Sequence, residues 1–189
     1  KIIDTKNLSS IASDVSDDVY NLTPKVQNEL VVREKVSTMA VAASHSLIFR
    51  ILNNASEKNL GMEGYPAEYG IYLSIIKANK LHKLSKGEFK FVEPSKSNKE
   101  LSALHNEFNR HIKSKEEPTS LNELYDLFSK QPYGIKKGLI PILLASFYMT
   151  NEGSFALYNT DEQGKEFLIT DYDKSCLLYT SPSPRDNTG

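Results

Sequence analysis

This sequence predicts a mainly α fold with a small β-hairpin near its C-terminal end, and three features point to it. Apolar residues recur at three- and four-residue spacing through most of the chain. Cap residues and prolines stand where such helices would begin or stop. Two short alternating segments, SFALYNT and KEFLIT, flank a polar stretch from Thr160 to Gly164, which reads as a hairpin near residues 154 to 169.

Leu8, Ile11, Val15 and Val19 predict a short amphipathic helix, capped by Ser9 or Ser10 and ending near Tyr20. Thr23 before Pro24 reads as the next helix start, because a hydroxyl can cap free amides and proline is tolerated in the first turn. That helix is expected to reach Asn54, interrupted around Lys35 to Ser37, where a second cap residue sits. Met39, Ala42, Ala43, Ser46, Leu47, Arg50 and Ile51 mark a stripe of alternating small and large groups. Asn53, Asn54, Gly61 and Gly64 predict a loop, and Pro66 opens a helix through Tyr69, Leu73 and Ile76 to about Asn79. Phe89 and Phe91 in KGEFKFVEP alternate as a short strand does, stopped by Pro94.

Helical spacing returns between Lys96 and Lys115 with Leu101, Leu104, Phe108 and Ile112. Pro118, Thr119 and Ser120 make a break and a cap, and Leu121, Leu124, Leu127 and Phe128 line the next helix. Gln131 to Gly134 is a tight turn. Beyond it, IKKGLIPILLASFYMTN is an apolar helix expected to be the most buried element.

These elements divide the chain into a helical subregion (residues 1–82), a linker with a short strand (83–96) and a subregion at 97–175. In the last, helices near 97–114, 120–130 and 136–150 followed by a hairpin give the order of a winged helix-turn-helix module. Residues 176–189, CLLYTSPSPRDNTG, break in composition from what precedes them. They resemble the translation of a transposon-based sequencing-library adapter and are expected to be a non-native tail. With Lys1 in place of an initiator methionine, the sequence is expected to be an internal piece of a longer gene, its native part ending near Ser175.

Composition narrows the function classes. With 23 basic against 24 acidic residues the net charge is -1, so bulk electrostatics favour neither a nucleic acid nor an acidic membrane. The single cysteine, Cys176, leaves no disulfide scaffold and no cysteine-rich zinc module. The longest apolar stretch, Gly138 to Met149, is interrupted by Pro141 and Ser146 and is shorter than the roughly 20 residues a membrane span needs.

Chemistry-bearing motifs are few. No GxxxxGK[ST] loop occurs, so a phosphate cradle of that type is missing. His45, His82, His105 and His111 offer no HExxH pattern and read as surface or capping histidines. Ser44, His45 and Ser46 are sequence neighbours on a helix and point away from one another. The paired carboxylates Asp17 and Asp18, Glu116 and Glu117, and Asp171 and Asp173 read as solvated groups. No catalytic, cofactor-binding or metal-ligating set is assigned.

Three segments stand out. Asn28 and Glu29 precede Arg33, with Glu29 and Arg33 at a spacing that lets them pair on a helix. Gly64, Tyr65 and Pro66 form a turn into a helix whose first turn carries Glu68, a carboxylate that offsets the positive helix end. Pro132, Tyr133 and Gly134, followed by Gly138, join two helices. Lys136 and Lys137 would then lie at the start of the third helix, where a recognition helix approaches DNA phosphates, so they are candidate DNA contacts. The competing reading of that turn is plain packing.

The succession VYNLTPKVQNELVVREKVSTMAVAAS, NLGMEGYPAEYGIYLSII and LYDLFSKQPYGIKKGLIPILLASFYMTNEGSFALYN resembles a region downstream of the ATPase core in large bacterial P-loop ATPases of phage-defence islands, including BREX-type systems. The likeness runs from about Leu8 to Ile169 and rests on TPxxxNEL with Arg33, LGxxGYPxE, and PYGIKxG before an apolar helix. Asn28, Glu29, Arg33, Gly64, Tyr65, Pro66, Glu68, Pro132, Tyr133, Gly134 and Gly138 are its motif positions. The resemblance implies a bacterial, cytoplasmic, non-catalytic accessory region. It would couple an N-terminal nucleotide-binding core, which would bind ATP and magnesium, to double-stranded DNA or to subunits of a defence complex. A stand-alone winged-helix DNA-binding regulator and a structural scaffold are the alternatives.

Overall fold

Ser37 starts a long helix: its Oγ accepts a hydrogen bond from the Ala40 amide at 3.2 Å, and α1 (Thr38–Asn53) follows. The computed structural model describes residues 13, 15–26, 28, 31, 37–115, 117–160 and 166–168. After α1 come α2 (Ala67–Ile71), which continues as a π-helical stretch over Tyr72–Lys77, then β1 (His82–Ser85) and β2 (Glu88–Phe91). The remaining elements are α3 (Lys99–Lys113), α4 (Leu121–Ser129), α5 (Ile140–Thr150), β3 (Tyr158–Thr160) and β4 (Glu166–Leu168). The chain is mainly α with small antiparallel sheets, as the periodicity predicts. Each sheet is a two-stranded hairpin, β1 with β2 and β3 with β4.

Capping explains several boundaries. Asn98 and Ser120 accept hydrogen bonds from the Leu101 and Glu123 amides, satisfying donors that open helix ends leave free. Pro141 is accommodated in the first turn of α5, where its missing N–H has no intrahelical role. Nine of the eleven residues of α5 are buried, making it the centre of the fold. It packs against α1, α4 and β2, and one apolar core runs from Val31 to Met149. Phe147 stands in that core with its ring against those of Phe108, Phe128 and His105.

Several expectations need correction. Thr23 does not start a helix: residues 23–26 carry no regular secondary structure, and the Thr23 hydroxyl donates to the Tyr133 carbonyl at 2.5 Å. The buried stripe of α1 runs through Ala40, Ala43, Ser44, Leu47, Ile48, Ile51 and Leu52, while Met39 is 79% exposed. The strand at Phe89 and Phe91 has a partner, β1, which alternation alone does not reveal. Lys136 and Lys137 lie in the turn before α5, whose first residue is Ile140. Glu29, Arg33, Glu116, Asp171, Asp173 and the tail at 176–189 lie outside the described residues, as do Leu8, Ser9, Ser10 and Ile11. Among the described residues, no helix is long and apolar enough to cross a membrane.

Candidate functional site

The PYG turn is built from contacts far apart in sequence. The Tyr133 and Gly134 amides both donate to the Lys130 carbonyl, and the Ile135 amide returns to Phe128. Leu22 donates its amide to the Pro132 carbonyl at 3.3 Å, so the turn after Tyr20 is stitched onto the PYG turn beside the Thr23 bond. Gly134 has φ +57, a left-handed conformation that costs glycine little.

Tyr133 is buried against Phe128. Burial raises its hydroxyl pKa above the ordinary tyrosine value; Glu107 adds to this and Arg110 opposes it. Arg110 in turn pairs with Glu107 and holds that carboxyl below its usual range.

Beside this turn opens a cleft of about 510 Å³. Ser16, Asp17, Tyr20 and Thr23 form one wall, and Ser129 with the stretch from Gly134 to Lys137 forms the other. Lys136 and Lys137 are exposed and have no ion-pair partner among the described residues. The structure therefore brings the two candidate DNA contacts to the edge of one concave surface. That surface can hold an anionic group against two ammonium ions and the hydroxyls of Ser16 and Tyr20, those of Thr23 and Ser129 already donating to the Tyr133 and Asp126 carbonyls, with Asp17 as the opposing charge.

The GYP motif forms a second cluster. Asn59, Leu60 and Gly61 take φ values of +52, +55 and +65, and Leu60 is fully buried despite this conformation. Arg50 reaches over from α1, donating from Nε to Glu68 at 3.2 Å, with Nη1 3.5 Å from the Leu60 carbonyl. Glu68 is the first-turn carboxylate the sequence predicts, and it is buried in an ion pair with Arg50. Pro66 stands just before α2, Gly64 takes φ +68, and Tyr65 is 91% exposed with its ring edge against Tyr69. Asn28 donates to Ser74 Oγ at 2.7 Å, and Ser74 donates to carbonyls of the preceding turn just where α2 widens into its π-helical stretch. Such a hydroxyl competes with the helix ladder and bends it.

Two histidines read as surface or capping residues are buried. His82 Nε2 faces the Ala55 carbonyl at 2.8 Å, which can only accept, so Nε2 carries the proton and Nδ1 accepts from the Tyr72 hydroxyl at 3.0 Å. Burial, with a contribution from Tyr69, pushes the Tyr72 pKa up to about 12. His105 sits 2.9 Å from Thr150 Oγ1 and 3.3 Å from Asn109 Nδ2, linking α3 to α5. Desolvation lowers the pKa of both imidazoles. The only sequence signal for these positions is that each lies among apolar residues, Leu81 and Leu84 for one and Leu101, Leu104 and Phe108 for the other.

The buried Ser44 hydroxyl donates to the Ala40 carbonyl, a local helix bond. Among the described residues, no three His, Cys, Asp or Glu side chains converge as a metal site would require. No family model, curated protein or solved structure matches the chain.

Proposed function

We propose that this chain is a non-catalytic accessory module that couples the nucleotide-binding core of a large phage-defence ATPase, of the kind it resembles, to double-stranded DNA. The observation that carries this reading is the cleft beside the PYG turn, with Lys136 and Lys137, which have no ion-pair partner among the described residues, on a wall that leads into the central helix. A module packed around one apolar core can transmit motion from a nucleotide-binding core to a bound duplex. The module would work in the bacterial cytoplasm, and ATP and magnesium would be held by the core.

A stand-alone winged-helix DNA-binding regulator is a second reading, favoured by the succession α3, α4, α5 and the β3–β4 hairpin. Both readings are tested by titrating the chain with duplex DNA at several salt concentrations and assaying it for ATP turnover. Replacing Lys136 and Lys137 by alanine should weaken duplex binding uniformly across sequences and reduce the salt slope by about two, one for each phosphate no longer neutralised. ATP hydrolysis by the chain itself would overturn the accessory reading. Binding that is indifferent to both lysines would remove the cleft from it.

A further inference from the structure

Between residues 77 and 99 the chain carries seven lysines and two glutamates, in a protein of net charge -1. The centre of this stretch is the β1–β2 hairpin, where Lys83 stands directly opposite Lys90. Both are exposed, and neither has an ion-pair partner among the described residues. Cross-strand partners have Cβ atoms about 5 Å apart, and like charges placed so destabilise the sheet. Alternation puts Ser85 and Glu88 on the same face, while His82 and Phe91 turn to the core.

Two more lysines occupy backbone that disfavours them. Lys86 and Gly87 form the two-residue turn with φ +55 and +94, a geometry in which asparagine or glycine is usual at the first position. Lys80, just before β1, takes φ +54. A like-charge pair and two left-handed lysines are each unfavourable for folding alone, and all three place an ammonium group on or beside one exposed ribbon.

We propose that the β1–β2 hairpin is a second binding surface, independent of the cleft at Lys136 and Lys137, that grips the phosphate backbone of duplex nucleic acid through Lys83, Lys86 and Lys90. A polyanion converts the repulsion between Lys83 and Lys90 into shared attraction for phosphate. The shape is compatible: a two-stranded ribbon fits a major groove about 12 Å wide. A duplex is favoured over an anionic membrane because the lysine face bears no apolar anchor. Leu84, 60% exposed, lies on the opposite face.

The test is anisotropy of the full 189-residue chain on a labelled duplex of ~20 bp between about 50 and 200 mM salt. Lys83→Gln with Lys90→Gln is expected to weaken binding at least about tenfold at low salt and to cut the salt slope by about two. The same pair should raise the melting temperature, because the repulsion is gone. Lys86→Asn should lower the slope by about one and also raise the melting temperature, since asparagine suits the turn. Lys136→Ala with Lys137→Ala separates the two surfaces: retention of hairpin-dependent binding in that variant leaves this proposal standing even if the cleft has no role. Failure of the unaltered chain to bind duplex would overturn the proposal. So would unchanged affinity and slope in the folded Lys83 and Lys90 double variant, or, should that variant not fold, in Lys86→Asn. Hairpin-dependent binding to phosphatidylserine vesicles without duplex binding would also overturn it.

Discussion

A Cβ atom on Gly134 would lie 2.5 Å from Cδ1 of Tyr20, so the ring from the N-terminal segment closes directly over the backbone of the PYG turn. Glycine is therefore required twice, by its φ of +57 and by the space. Gly134→Ala should destabilise the fold by about 2–3 kcal/mol, combining a left-handed penalty near 1 kcal/mol with displacement of the ring. Urea unfolding measures this. In the background of Tyr20→Ala the cost should shrink toward the backbone penalty alone. A loss below about 0.5 kcal/mol in the single variant would mean the ring does not rest there.

Arg50 and Glu68 are unequal partners. The carboxylate side chain is 10% exposed and the guanidinium side chain 31%, so removing the arginine strands a buried charge, whereas removing the glutamate leaves a cation that water still reaches. Arg50→Ala is expected to cost about 2 kcal/mol and Glu68→Ala about 1 kcal/mol. Thermal unfolding of the two variants gives the order directly, and the reverse order would contradict the buried position of Glu68.

The buried histidines set a pH dependence. Desolvation lowers the folded pKa of His82, partly offset by its bond to Ala55, and that of His105, where Glu93 opposes the shift and Lys113 adds to it. The unfolded chain therefore binds protons more readily than the native one. The stabilisation is complete above an unfolded value of about 6.5 and declines as pH falls below it toward the lowered folded values. Unfolding free energy measured between pH 7.5 and 5 (about the range over which an unperturbed histidine titrates) should fall. His105→Gln should flatten part of that slope. An equal slope in the variant would show that His105 contributes nothing to the dependence.

The helices were legible because their determinants are local. Ser37 and Ser120 announce helix starts through side chains that reach amides three residues on. The apolar run after Gly138 marks α5 as the buried element. β1 escaped because HKLS lacks an apolar alternation; only its pairing with β2 makes it a strand. Thr23 looked like a cap, yet its hydroxyl is taken by Tyr133, 110 residues away. The stripe through Met39 shares Ala43, Leu47 and Ile51 with the buried face of α1, while Met39 itself is exposed.

The positions of the long helices, the caps at Ser37 and Ser120 and the identity of the most buried helix were determined by the sequence itself, since propensity, capping and apolar period act over a few residues. The tertiary structure alone decided that Tyr20 covers Gly134, that Arg50 reaches Glu68, that two histidines are buried, and that Lys83 faces Lys90. Those relationships depend on which distant segments share a surface. That is set by how the apolar faces pack around α5, a condition that no window of neighbouring residues contains.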